Sequence, residues 1–220
     1  MVGSIAVVVP LKNELQFARD VARVKREIVE VRADFAGRRE LSEQTTKLLS
    51  KIAHRSILTI RPQWEGGNFR GDENLRVGML KSIGEEIEPR FVDVEHKVAH
   101  KFKESSFRKI VSWHDFNSTP PFEELLKKYK EMEKLGDIVK IATTAKNAID
   151  IVNVMKLYSR AEKGRLIAFA MGEIGKISRV LSVTDIYGAP FAYSSLGAPV
   201  APGQYGRAEL QKILEKLSRD

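Results

Sequence analysis

Residues 137–142 read Asp-Ile-Val-Lys-Ile-Ala, a short apolar run interrupted by a single lysine, Lys140. A run of this kind, without polar alternation, is typical of a β-strand that is buried on both faces, as in a parallel sheet. An ammonium group inside it would lose its water, and desolvation favours the neutral amine. A neutral amine is a nucleophile that can form a Schiff base with a ketone or an aldehyde. The run therefore predicts a parallel sheet and a reactive Lys140, with a snorkelling or salt-bridged lysine at a strand edge as the alternative.

Similar apolar runs alternate with amphipathic stretches along all 220 residues. We predict strands at residues 5–10, 28–31, 57–60, 91–94, 110–113, 138–142, 166–171 and 191–196. Helices are expected at residues 14–25, 39–54, 73–86, 122–135, 145–158, from 176 onward and at 208–217, with a less regular segment at 98–104. Eight strand-then-helix units predict an α/β fold, a (β/α)8 TIM barrel forming one catalytic domain over residues 1–220. An open doubly wound sheet fits less well, because no Gly-x-Gly-x-x-Gly follows the first strand.

Composition limits the class of protein. With no cysteine, the chain has no disulfide framework, no thiolate catalysis and no thiolate metal site. The N-terminus lacks the basic region and the long apolar region of a signal peptide, and no run approaches a membrane span, so we expect a soluble, cytoplasmic protein. The net charge of +8 is compatible with nucleic-acid binding. Basic residues are nevertheless interleaved with acidic ones, which favours an anionic small molecule instead.

A barrel places its active site at the carboxyl ends of the strands and in the loops that follow them. Polar candidates at these places are Glu30, Arg32, Arg61, Glu65, His114, Lys140, Arg179 and Gln204. Glu30 and Arg32 point to the same side of a strand, and they form either a structural ion pair or a clamp for a hydroxylated anion. If the strands of His114 and Lys140 are neighbours, about 4.8 Å apart, the imidazole can move protons around an imine on the amine.

Other features of the sequence are less specific. Glu65 could fix the tautomer of His114, and the glycines at 66 and 67 predict a sharp turn or a close approach of the backbone to a ligand. Residues 171–179 lack the spacing of a Walker phosphate loop, so Arg179 is interpreted as a fork for a carboxylate, or else as a helix-surface arginine. His96 and His100 are four residues apart without an evident third ligand, and we expect no metal site.

Taken in order, six segments of the chain resemble the type I 3-dehydroquinate dehydratase family in a short, archaeal-like form. The segments are residues 30–34, 59–67, 112–116, 137–142, 171–179 and 201–204. The resemblance implies a (β/α)8 barrel of the shikimate pathway, a lyase that converts 3-dehydroquinate to 3-dehydroshikimate by syn dehydration, without a metal or an organic cofactor. It also implies a small-molecule partner and, by family resemblance only, a homodimer.

The resemblance further implies a role for each candidate. Lys140 would form the imine with the C3 ketone, and His114, paired with Glu65, would take the C2 proton and then assist loss of the C1 hydroxyl. Arg179 would bind the substrate carboxylate. The hydroxyls and the remaining polar edge would be bound by Glu30, Arg32, Arg61 and Gln204.

One position departs from the family pattern. Many members carry a serine where this chain has Val200. The missing hydrogen bond could come from another group, such as Ser194 or Ser195. Two other functions stay open: a class I aldolase-type barrel, which also uses a lysine in the barrel lumen, and a basic nucleic-acid-binding protein on a barrel scaffold.

Overall fold

The computed structural model describes residues 4–37, 41–103, 105 and 107–218. Its centre is a sheet of eight parallel strands in the order β7-β6-β5-β4-β3-β2-β1-β8, which curls into a nearly closed barrel. The strands are β1 Ser4–Pro10, β2 Ile28–Arg32, β3 Ser56–Thr59, β4 Phe91–Glu95, β5 Lys109–His114, β6 Ile138–Thr144, β7 Leu166–Met171 and β8 Phe191–Ser195. The predicted TIM barrel is confirmed.

Seven α-helices surround the barrel in the described ranges. They are α1 Glu14–Arg23, α2 Glu43–Ile52, α3 Glu73–Ile87, α4 Phe122–Met132, α5 Ala148–Lys156, α6 Gly172–Leu181 and α7 Arg207–Leu217. Four of them begin at a side-chain cap that accepts a backbone N–H: Asn13, Ser42, Asp72 and Asn147. In the fourth unit, the segment expected at 98–104 after β4 is a 3-10 helix, His96–Phe102. Within the described ranges, no helix has the length and apolar character needed to cross a membrane.

Several predicted helix boundaries were wrong. The second predicted helix included residues 39 and 40, which lie outside the described residues, and the described part begins at Glu43. Predicted starts at 145 and 176 are instead Ala148 and Gly172. In α6, a Cβ at Gly175 would lie 2.5 Å from the backbone oxygen of Ala170, so that glycine is there for close helix–strand packing and not for a loop.

Alternate positions on the strands form two apolar layers, which explains why the runs show no period-two polarity. One set packs between the barrel and the helices, for example Val7, Val29 and Val111. The other set points into the barrel, and its lowest layer is wholly apolar: Ala6, Ile28, Ile57, Phe91, Ile110, Ile138, Ile167 and Phe191. This layer closes the amino-terminal end of the barrel, so any pocket in the lumen must open at the carboxyl ends of the strands.

The next inward layer lies two residues further along each strand and is mostly polar. It consists of Val8, Glu30, Thr59, Asp93, Ser112, Lys140, Phe169 and Tyr193, all of which are buried. Lys140 and Ser112 are direct partners in the register of β5 and β6. The side chains that fill the lumen thus change from apolar to mostly polar within two residues along each strand, and the candidate site lies at that boundary.

Candidate active site

A cavity of about 210 Å³ opens at the carboxyl ends of the strands. The eight residues predicted from the sequence all line it: Glu30, Arg32, Arg61, Glu65, His114, Lys140, Arg179 and Gln204. They come from six of the eight strands or from the segments that follow these strands. The fold therefore brings the whole predicted set together, although their chemical roles depend on the contacts each one makes.

Lys140 is buried in the wall of this cavity, but it has a charged partner. Its Nζ donates to Oδ2 of Asp93 at 3.2 Å and lies 4.1 Å from the centre of the Tyr193 ring. Burial alone would raise the pKa of Asp93, but Arg61 and Lys140 outweigh it and hold that pKa well below its ordinary value. A salt-bridged Lys140 was the alternative to a reactive amine in the sequence, and the ion pair with Asp93 is present. The structure shows an amine that is dry and ion-paired.

Arg61 is the centre of a buried hydrogen-bond network that also includes the carboxylate paired with Lys140. Its guanidinium lies 2.8 Å from Asp93 and 2.8 Å from Glu95, and it also donates to the Ser112 hydroxyl at 2.7 Å. The same hydroxyl donates to Asp93 at 2.6 Å. Most of the donors of Arg61 are therefore already used inside the protein, and the network fixes the carboxylate that holds Lys140.

His114 and Glu65 form the second reactive pair. Nδ1 of His114 lies 2.5 Å from Oε2 of Glu65, and the ring of Phe116 stacks on the imidazole at 5.9 Å. Burial lowers the pKa of His114 well below its usual value, and the charges of Arg61 and Lys140 lower it further. Burial raises the pKa of Glu65 to about 8, although Arg61 opposes this. The imidazole is thus held neutral, and its tautomer depends on whether Glu65 carries a proton.

The two glycines after Glu65 make a turn. Gly66 has a φ of +72°, and a Cβ there would lie 2.4 Å from the Phe116 ring. A Cβ on Gly67 would lie 2.0 Å from the backbone oxygen of Arg61. Of the two readings open from the sequence, the sharp turn is the one that the structure shows, and it places Glu65 against His114.

Arg179 is the unusual cation of the site. It is almost fully buried, donates to the backbone oxygen of Pro202 at 3.1 Å, and lies 4.0 Å from the centre of the Phe169 ring. In the described part of the chain its Nε has no hydrogen-bond partner, and no carboxylate neutralises it. Burial accordingly lowers the pKa of Arg179 to about 10. A buried, unneutralised guanidinium facing a cavity has the charge and the paired N–H donors that suit a carboxylate.

The remaining predicted residues line the rim and walls. Arg32 makes two parallel bonds of 2.8 Å to Asp34, so its ionic partner is Asp34 rather than Glu30. Glu30 accepts from the Thr59 hydroxyl at 3.0 Å. Gln204 accepts from the backbone N–H of Val200 at 3.0 Å, which leaves its amide NH2 group to donate elsewhere. These contacts hold the Glu30 carboxylate as an acceptor, and the Arg32 guanidinium and the Gln204 amide as donors, around the cavity.

Sequence reasoning missed three residues of this site: Asp93, Ser112 and Tyr193. The signal for Asp93 was present, because residues 91–95 read Phe-Val-Asp-Val-Glu, an apolar run interrupted by charge in the same way as the run around Lys140. Tyr193 gave no such signal, since tyrosine is an ordinary strand residue. Ser194 and Ser195, suggested as substitutes for the hydroxyl missing at Val200, are both buried but do not line the cavity.

Comparison with known proteins places these features in a family. A family model described as Type I 3-dehydroquinase matches residues 5–220. A 3-dehydroquinate dehydratase from Thermococcus gammatolerans is 37% identical over 220 residues, covering 97% of this chain and 98% of that protein. The crystal structure of 3-dehydroquinate dehydratase from Geobacillus kaustophilus HTA426 superposes with a TM-score of 0.82 at 26% identity, covering 99% of this chain and 91% of the other. That from Aquifex aeolicus VF5 gives 0.77 at 27%, covering 99% and 100%.

Proposed function

Because the chain belongs to the type I 3-dehydroquinase family and is therefore a lyase, we propose that it dehydrates 3-dehydroquinate to 3-dehydroshikimate through a Schiff base on Lys140. The observation that carries the proposal is the juxtaposition of a buried amine, a neutral imidazole and an unneutralised guanidinium in one cavity. The family match also argues against the aldolase-type alternative and against a nucleic-acid-binding role.

Binding comes first. The substrate carboxylate would pair with Arg179, which is the cation of the cavity that lacks an anion. Glu30, Arg32, Arg61 and Gln204 would contact hydroxyls and the remaining polar edge. Holding the ring at both ends would place its ketone against Nζ of Lys140, and such positioning replaces a bimolecular encounter by an intramolecular step.

The ion-paired ammonium of Lys140 would pass one proton through His114 to the ketone oxygen, and the freed amine would attack the ketone carbon to form the C–N bond; a second proton from the same nitrogen would let the oxygen leave as water, and the iminium nitrogen would keep the third. Asp93, which accepts one N–H of this group, would orient its remaining valences toward the cavity. The resulting iminium ion withdraws electrons, so it acidifies the C–H bond on the neighbouring ring carbon. The Asp93 carboxylate would also stabilise the positive charge on the iminium nitrogen.

His114 would be both base and acid. Its Nε2 would take the proton from the acidified carbon, and the C–H electron pair would form an enamine. The enamine would push out the hydroxyl one carbon further, with His114 returning its proton so that water leaves. Hydrolysis of the conjugated iminium would release the product and regenerate the amine. Glu65 would hold Nδ1 in the tautomer that leaves Nε2 free to accept a proton.

Borohydride reduction tests the covalent step. Treatment with borohydride in the presence of 3-dehydroquinate should leave a ligand mass on Lys140, located by peptide mass spectrometry. The adduct should be absent in Lys140→Ala and present in Lys146→Ala, a control that removes an exposed lysine beyond the same strand. His114→Ala should still form the adduct but lose turnover by about 10²–10⁴-fold. Failure of the wild-type protein to give either an adduct or the absorbance of the conjugated product would refute the proposal.

Further sequence predictions belong to the same proposal. They are a single catalytic domain over residues 1–220, a cytoplasmic location and a homodimer. Light scattering on the purified protein tests the last of these directly, since a monomer at working concentration would contradict it.

A further inference from the structure

Tyr193 has a buried hydroxyl that forms no hydrogen bond with the described residues. The residue lies in β8, lines the active-site cavity and is 4% exposed. Among the residues that the structure describes, no group forms a hydrogen bond with its Oη. Buried tyrosine hydroxyls usually find a partner, and a buried polar group without one costs stability. At a position with only a packing role, phenylalanine would therefore serve better.

The ring itself is fixed and lies against the reactive amine. It makes an edge contact with Phe191, with ring centres 5.5 Å apart and planes at 80°. Nζ of Lys140 is 4.1 Å from the centre of the Tyr193 ring. The negative face of an aromatic ring attracts a cation, so an iminium nitrogen at this place would be stabilised in the same way as the ammonium.

The neighbourhood leaves Tyr193 as a hydrogen-bond donor. Burial raises the pKa of its phenol well above the ordinary value, and the negative charges of Glu30 and Asp93 raise it further, so the group stays a neutral O–H. Val200 lines the same cavity and packs against the inner cluster that contains Tyr193, but its side chain has no polar atom. The phenol is thus a neutral donor in the cavity wall, with both charged groups, Glu30 and Asp93, and an apolar one, Val200, nearby.

We propose that Tyr193 is a substrate-binding residue, whose hydroxyl donates to the ring hydroxyl next to the Lys140-bound carbon while its ring face supports the iminium charge. A hydroxyl on the ring carbon next to the imine carbon would be three bonds from Nζ of Lys140, which lies 4.1 Å from the centre of the Tyr193 ring, so it would be the substrate hydroxyl nearest the phenol. The inference rests on the proposed function, since it assumes that a hydroxylated ring is attached to Lys140.

Tyr193→Phe removes the oxygen and keeps the ring, so it separates binding from packing. We expect kcat/KM for 3-dehydroquinate to fall about 10-fold, the effect of one lost hydrogen bond to a buried group. With an analogue that lacks the hydroxyl next to the ketone, wild type and variant should have equal kcat/KM. The melting temperature without ligand should stay the same or rise, because the removed hydroxyl has no protein partner.

Tyr158→Phe is the matched control. Its hydroxyl is also buried, but it donates to the backbone oxygen of Ala168 at 2.9 Å and accepts from the Ala168 N–H at 2.7 Å. That variant should melt at a lower temperature and keep kcat/KM. If Tyr193→Phe behaves like Tyr158→Phe, with reduced melting temperature and unchanged kcat/KM, Tyr193 is structural and the inference is overturned.

Borohydride trapping separates this inference from the proposed function. An adduct on Lys140 in both wild type and Tyr193→Phe, together with the fall in kcat/KM, supports both. The same adduct with equal kcat/KM for 3-dehydroquinate overturns only the role of Tyr193. No adduct in wild type overturns the proposed function, and the role of Tyr193 falls with it.

Discussion

Arg179 and Arg76 are two of the buried arginines, and replacing each with methionine should change stability by very different amounts. Arg179 lies in the cavity without a carboxylate partner, whereas Arg76 donates to the backbone oxygen of Ile60 at 2.7 Å and lies 2.6 Å from Glu95. Methionine is apolar and of similar length, so each replacement removes the charge with little loss of volume.

The magnitude for Arg179 follows from its surroundings. Burial lowers its pKa from 12.5 to about 10, and at about 1.4 kcal/mol for each pKa unit the buried charge costs about 3 kcal/mol. The Phe169 ring, 4.0 Å from the guanidinium carbon, offsets about 2 kcal/mol of this. The hydrogen bond to the backbone oxygen of Pro202 offsets the remainder, so Arg179→Met should change the free energy of unfolding by no more than about 1 kcal/mol. Arg76→Met should lower it by about 3–5 kcal/mol, because Glu95 loses a partner in the protein interior.

Urea denaturation followed by circular dichroism measures both changes, and calorimetry measures binding. Arg179→Met should lose roughly 10²–10⁴-fold in affinity for 3-dehydroquinate, the worth of about two charge-assisted hydrogen bonds to a carboxylate. The reasoning is refuted if Arg179→Met is destabilised by as much as Arg76→Met, or if it binds substrate as tightly as the wild type does. The first result would mean that Arg179 has a structural partner, and the second that the carboxylate binds elsewhere.

Three further predictions concern the site and its supports. In wild type, kcat/KM should rise with pH toward about 8, because protonated Glu65 donates to Nδ1 of His114 and so leaves the imidazole proton on Nε2. In Glu65→Gln this rise of kcat/KM with pH should be absent from the pH–rate profile. Asp93→Asn should lower the free energy of unfolding by about 3–5 kcal/mol in urea denaturation, since two buried cations lose their carboxylate; an unchanged midpoint would contradict this. Gly67→Ala should reduce both melting temperature and activity, because the new Cβ would clash with the backbone oxygen of Arg61. Gly78→Ala, in the open middle of α3, should instead stabilise by up to about 1 kcal/mol. Similar melting temperatures for the two variants would count against the clash at Gly67.

The apolar runs were sufficient to predict the strands, because strands buried on both faces carry a signal that depends only on neighbouring residues. The same locality made helix starts harder to predict. Gly172 and Gly175 look like loop residues, yet α6 begins at Gly172, and the glycine at 175 is required by the approach of the helix to Ala170. The close contact joins two elements, so it leaves no periodic trace in the sequence.

The side chains of the cavity were predictable one by one, but their partners were not. Lys140 stands out because it interrupts an apolar strand, and all eight predicted residues line the cavity. That Lys140 would pair with Asp93 of β4, two strands away around the barrel, depends on register and barrel curvature. For the same reason the sequence could offer Glu30 as a partner of Arg32, whereas the structure pairs Arg32 with Asp34.

The buried polar groups of this cavity fall into two sets, those with a partner in the protein and those without one. Next to the reactive amine every cation has an anion: Asp93 faces Lys140 and Arg61, and Glu95 faces Arg61. Two groups that line the same cavity, the guanidinium of Arg179 and the phenol of Tyr193, instead have buried polar atoms without a hydrogen-bond partner in the described part of the chain. Paired charges hold a nucleophile in place before substrate arrives, and unpaired groups give up stability that a ligand restores. Under the proposed function, the guanidinium of Arg179 would bind the substrate carboxylate, and the phenol of Tyr193 would bind a substrate hydroxyl.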